Sequence, residues 1–151
     1  PHSVGQLQMI YNHKPSQYFH PYAAGKPSTP LYPFGHGLSY TTYKYDDLKL
    51  AQKEITKDGT VDVSVKVTNT GDRDGVEIVQ LYIRDKFSSV TRPVKELKAG
   101  ESQVVNFKIT PDKLAFYDKK MKKIVEPGEF IVMVGASSDD KDLLKDSFFV
   151  K

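Results

Sequence analysis

The chain has 151 residues, 38% hydrophobic and 27% charged, with neither Cys nor Trp. That composition is globular rather than disordered and excludes disulfides and thiolate chemistry. A net charge of only +3 makes no electrostatic case for nucleic acid, and no apolar run approaches the roughly 20 residues of a membrane span. The sequence opens on Pro1 without a signal-peptide pattern and reads as a piece of something longer.

Residues 1–40 contain no Asp or Glu, all four His (His2, His13, His20, His36), and Pro1, Pro15, Pro21, Pro27, Pro30 and Pro33. Prolines at this density prevent a helix and disfavour a central strand. An extended or looped arm is expected, with Ser3–Ile10 as a short strand. The arm also carries Tyr11, Tyr18, Phe19, Tyr22, Tyr32, Phe34 and Tyr40. Solvated linkers avoid such rings, because apolar area left in water costs roughly 25 cal/mol per Å². The arm is therefore expected to lie on a surface. Leu31–Tyr40 should pack on the chain's own domain through Tyr32, Phe34 and Leu38.

From residue 43 the pattern has period two. A first strand is expected over Tyr43–Ile55. Val61, Val63, Val65 and Val67 alternate with polar residues, as in a strand with one buried face. Val79, Leu81 and Ile83 repeat this against Gln80, Tyr82 and Arg84, and Val105, Phe107 and Ile109 against Asn106 and Lys108. Phe130–Val134 and Asp146–Val150 read as the last strands. Turn chemistry separates them at Asp58-Gly59, Asn69-Thr70-Gly71-Asp72, Ala99-Gly100 and Pro127-Gly128. Pro111–Leu114 can start one helical turn capped by Thr110. The pattern predicts an all-β, antiparallel β-sandwich of immunoglobulin or fibronectin type III-like form with about seven strands. Its expected core is Val63, Val65, Leu81, Ile83, Phe107, Val132 and Phe148.

No constellation marks a catalytic, cofactor or metal site. Gly35-His36-Gly37-Leu38-Ser39-Tyr40-Thr41 partly matches a nucleophile elbow, but it lacks the second Gly and the strand–turn–helix setting. A tight bend, with Gly35 and Gly37 permitting positive φ or close approach, is the better reading. The four His have no helical spacing and no neighbouring carboxylate. Asp72-Arg73-Asp74-Gly75 fails the calcium-loop pattern and reads as a polar turn. Ser138–Asp142 reads as a solvated loop, and Lys119–Lys123 as a solvated basic hairpin. No carboxylate pair stands out for glycoside chemistry. Ring stacking on sugars would fall to Tyr82, Phe87, Phe116 and Tyr117 in the sandwich half.

The motifs carry a resemblance. Pro30-Leu31-Tyr32-Pro33-Phe34-Gly35-His36-Gly37-Leu38-Ser39-Tyr40-Thr41 resembles the signature before the C-terminal domain of glycoside hydrolase family 3. Ser3–Gln6 and Tyr11–Pro15 resemble the end of that family's α/β-sandwich domain. Val67–Gly71, Gly75–Tyr82, Arg92–Lys98, Ala99–Glu101 and Pro127–Phe130 resemble its fibronectin type III-like domain. The resemblance is closest to β-glucosidases, with β-xylosidases sharing the architecture. Leu97-Lys98 runs directly into Ala99-Gly100, where members carry a further stretch. This implies either a shortened sandwich edge or a stretch not represented in the sequence.

The resemblance implies an organisation and a role. Residues 1–40 would be the arm from the α/β-sandwich domain, and 41–151 the fibronectin type III-like domain. The family's nucleophile and acid/base lie in other domains and match no position in this chain. The chain would be a non-catalytic, structural interdomain module of an exo-acting, retaining β-glucosidase that is periplasmic or secreted. Tyr32, Phe34, Gly35, His36, Gly37, Leu38 and Tyr40 would pack between domains. Partners would be the parent's catalytic domains, with self-association through the arm, where residues 1–28 bury Tyr11, Tyr18 and Tyr22 against a second copy. No cofactor, nucleic acid or membrane is implied. The alternative is a stand-alone carbohydrate-binding or protein-interaction sandwich.

Overall fold

In the computed structural model, which describes residues 32–84, 94–97, 100–118 and 120–151, the alternating valines build one sheet and the apolar C-terminal strands the other. The strands are β1 (Tyr43–Leu50), β2 (Glu54–Ile55), β3 (Val61–Asn69), β4 (Gly75–Ile78), β5 (Gln80–Arg84) and β6 (Val94–Leu97). There follow β7 (Ser102–Ile109), a single turn α1 (Pro111–Leu114), β8 (Phe116–Tyr117), β9 (Lys123–Ile124), β10 (Gly128–Gly135) and β11 (Leu144–Val150). One sheet has the order β1-β3-β7 and the other β2-β11-β10-β5; β4 pairs with β6, and β8 with β9.

The sandwich reading holds, and β4 and β5 act as one kinked strand broken at the buried Val79. Among the described residues, all ladders are antiparallel except the two-residue β2–β11 pair. The expected Tyr43–Ile55 strand is two strands in different sheets. Ala51 N still donates to Asp62 O on β3, whereas Phe149 N on β11 donates to Lys53 O. The chain therefore crosses between sheets at Gln52.

The two inner faces meet in a core that includes Val61, Val63, Val65, Val67, Leu81, Ile83, Phe130, Val132, Val134 and Phe148. The Phe130 and Phe148 rings stack with centroids 5.5 Å apart. Phe107 differs from expectation. It faces the core but is only partly buried, because β7 is the last strand of its sheet and leaves one side of the ring uncovered. Thr110 does precede α1, but its hydroxyl makes no capping bond. Its carbonyl accepts from Lys113 N instead. The basic run is a hairpin as expected, with Asp118 Oδ1 accepting from Lys120 N and Lys122 N.

Candidate interdomain docking site

The polar exceptions to the alternating pattern converge where the arm enters the sandwich. Four polar residues are buried among those described: Thr41, Asn69, Glu77 and Gln80. Asn69 continues the inward row of Val61 to Val67. Its Oδ1 accepts from Thr41 Oγ1 at 2.6 Å and from Gly71 N at 3.1 Å, while Nδ2 donates to Arg73 O at 2.8 Å. One amide thus ties Thr41, the first residue after the arm, to the β3–β4 turn and explains why Asn69–Asp72 turns there. A Cβ on Gly71 would come within 2.1 Å of Thr41 Oγ1, so this close approach needs glycine.

Glu77 lies on the inward row of β4 and is only 8% exposed. It accepts a hydrogen bond from Tyr45 OH, which reaches it from the opposite sheet. Burial raises the Glu77 pKa, and the Tyr45 bond only partly offsets this. Burial and then the same bond drive the Tyr45 phenol well above its ordinary range. Tyr43 OH, lodged over Gly75, is buried without a bond of acceptable geometry. Ser39 is close enough to temper the burial-driven rise of its pKa but not to satisfy it.

Because the folded state holds the Glu77 proton more tightly, its contribution to stability is full below about pH 4.5 and is lost as pH rises through the raised value. Glu77→Gln keeps an acceptor for Tyr45 without the charge. It is expected to match the wild type near pH 4 and exceed it at neutral pH, read from urea midpoints across that range. Parallel pH profiles would contradict this account of Glu77.

Phe34 and Gly35, in the described end of the arm, dock on the outer face of the four-stranded sheet. A turn closed by His36 N donating to Pro33 O at 3.0 Å sets Phe34 edge-on to Tyr82, centroids 6.5 Å apart. Phe34 O accepts from Ser138 N at 2.8 Å. Tyr82 OH donates to Gln80 Oε1 at 2.6 Å, and Gln80 Nε2 to Ala136 O at 2.7 Å. Gln80 Nε2 also lies 3.4 Å from Gly35 O. Gly35 has φ +79°, and a Cβ there would come within 2.0 Å of Gln80 Nε2.

This cover explains why Gln80 and Tyr82, both outward by parity, are buried. Tyr82, under the arm, has its pKa pushed up to about 12 by burial. Of the candidate sugar-stacking rings, Tyr82 is therefore not exposed. Tyr117 is exposed and Phe116 half-buried; Phe87 lies outside the described residues.

The signature residues divide. Phe34 and Gly35 touch the sandwich, whereas Tyr32, expected as an anchor, is 63% exposed and stacks on His36 at 5.0 Å instead. Leu38, also expected as an anchor, is 96% exposed, and Tyr40 is 92% exposed. Both follow the turn where the chain has left the sheet. Gly37 makes neither a positive φ nor a close approach. Tyr11, Tyr18, Tyr22 and the other three His lie outside the described residues.

Gln80, Ser138, Asn69 and Glu77 were not singled out as site residues from sequence. Asn69 and Glu77 had a signal, being polar residues on inward rows; Ser138 had none. Among the described residues, no three His, Asp or Glu gather as metal ligands. An open hollow of about 640 Å³ beside β1, β3 and β7 holds one acid, Asp62, among its lining residues.

Residues 77–138 match the fibronectin type III-like domain family. A putative β-xylosidase of Formosa agariphila is 45% identical over 159 residues, covering 100% of this chain and 21% of that protein. The chain is a fibronectin type III-like module of glycoside hydrolase family 3. A periplasmic β-glucosidase of Salmonella typhimurium is 40% identical, with 91% of the module and 20% of the relative aligned. The solved β-glucosidase of Erythrobacter marinus superposes with a TM-score of 0.82 at 40% identity, over 98% of the module and 20% of that chain. The module thus spans about a fifth of the length of the relatives it matches.

Proposed function

We propose that the module is the non-catalytic C-terminal part of an exo-acting β-glucosidase or β-xylosidase, and that Tyr32, Phe34, Gly35, His36, Gly37, Leu38 and Tyr40 form its docking site for the catalytic domains. The observation that carries this reading is the exposure of Leu38 and Tyr40 beside a junction with most of the buried polar bonding. A stretch held this firmly at Phe34 and Thr41, yet presenting apolar side chains outward, suits a covering partner. The functional division follows at residue 40: residues 1–40 lead from the catalytic part, and 41–151 form the sandwich.

The relatives' names support a β-glucosidase or β-xylosidase parent. Hydrolysis would reside in its other domains, since this chain's carboxylates form no marked pair. The experiment combines Leu38→Asp with Tyr40→Asp in the full-length parent and in the isolated chain. The parent's aryl-glycosidase activity is expected to be lost at a lower temperature, while the isolated chain unfolds as before. Unchanged inactivation of the parent would refute the docking role. Turnover by the isolated chain, abolished by altering one of its own acids, would refute the non-catalytic one.

A further inference from the structure

We infer that the free edge of β7 is a self-association site, at which two copies of this chain join antiparallel into one six-stranded sheet. The starting point is the ladder between β3 and β7, in which Val61 faces Ile109 and Thr68 faces Ser102. Asn69 N donates to Glu101 O at 2.9 Å in continuation of that ladder. Antiparallel pairs alternate between bonded and non-bonded. Gln103, Val105, Phe107 and Ile109 therefore exchange their backbone bonds with β3. The N–H and C=O groups of Ser102, Val104, Asn106 and Lys108 point the other way, and no described strand meets them.

The two edges of this sheet are built differently. β1 is interrupted between Asp46 and Lys49, carries Asp47 at φ +53°, and presents Lys44, Asp46, Asp47 and Lys49. Bulges and charges of this kind are how proteins block edge-to-edge pairing. β7 has none of these protections along its middle. Its eight residues pair without interruption, contain no proline, and carry one charge, Lys108, near the end. Val104 is 53% exposed at its centre, and the partly buried Phe107 ring lies on the core side of the same strand.

The pattern of the strand selects its occupant. In an antiparallel pair centred on Val105, Val104 lies opposite Asn106 of the second copy, Ser102 opposite its Lys108, and Phe107 opposite its Gln103. The two Lys108 charges sit about 20 Å apart at 3.3 Å per residue, beyond the screening length of about 8 Å at physiological salt. A parallel pair would set them side by side. The antiparallel arrangement is two-fold symmetric and consumes the edge of both copies, so association stops at a dimer.

The test is sedimentation equilibrium of the 151-residue chain over a range of concentrations, with three variants. Asn106→Pro removes an N–H that no described strand meets, and proline is tolerated on edge strands. Val104→Lys blocks the same edge without touching the backbone, should the proline variant fail to fold. The third variant lacks residues 1–31. The wild type and the truncated chain are expected to dimerise, and either folded edge variant to associate at least tenfold more weakly. A wild type monomeric throughout, or a dimer that survives both edge substitutions, would overturn the inference. So would a dimer lost on truncation of the arm.

Discussion

Replacing Phe148 with Ala is expected to destabilise the chain by about 3–5 kcal/mol, the usual cost of emptying a large core site. Phe148 and Phe130 are 2% and 1% exposed, and their rings stack nearly parallel, 14° apart, across the β10–β11 ladder. Each ring supports the other, so the cavity cannot close by a shift of one strand. Phe149, the next residue on the outer face, is its internal control. It is half exposed, and its replacement by Ala should cost about 1 kcal/mol or less. Urea denaturation of both variants reads the difference. Equal costs would contradict the pairing of Phe148 with Phe130 across the ladder, since a slip of one residue in β11 exchanges its two faces.

The second large effect is at Asn69. Asn69→Ala removes three bonds at once, leaving Thr41 Oγ1 short of a partner in a buried setting and Gly71 N and Arg73 O short of one in partly buried settings. A buried group left unsatisfied costs about 1–3 kcal/mol. Water reaching the partly buried Gly71 side reduces the total, so about 3 kcal/mol is expected. The loss should come with faster amide exchange over Thr41 and Thr70–Asp74, while β10 and β11 exchange only as the global stability dictates. A cost near zero would show that the arm enters the sandwich without this lock. The seven ion pairs found among the described residues carry no comparable weight. Each has at least one side chain more than two-fifths exposed, and such pairs contribute little.

The strands were legible because their burial is one-sided. Val61 to Val67 and Leu81 to Ile83 alternate cleanly, and period two has a single structural meaning. The split of the first strand was not legible. Leu50 and Ile55 both face the core, and only the bonds of Ala51 and Lys53 show that they serve different sheets. The contact between residues 34–35 and the sandwich was legible in part. Ring and proline density singled out this stretch, and Phe34 and Gly35 do meet the sandwich. Which rings would be buried depended on the turn at Pro33–His36, which points Phe34 inward and leaves Tyr32 against His36. Tyr82 stood as a candidate ring because alternation reports which face a residue is on, not whether that face is covered. The near-continuous burial of β5, from Gln80 to Ile83, is a tertiary effect of the arm lying over it.

The most direct test of the docking account is amide hydrogen exchange over Tyr32–Thr41, compared between the isolated chain and the full-length parent. In the isolated chain, His36 N should be protected by its bond to Pro33 O, while Gly37 to Tyr40, for which no backbone partner is found among the described residues, exchange quickly. In the parent, the catalytic domains should cover Leu38 and Tyr40. Exchange from Gly37 to Tyr40 should then slow at least tenfold, with the core strands β3 and β10 unchanged. Identical exchange of this segment in both proteins would contradict the claim that it is an interdomain docking site.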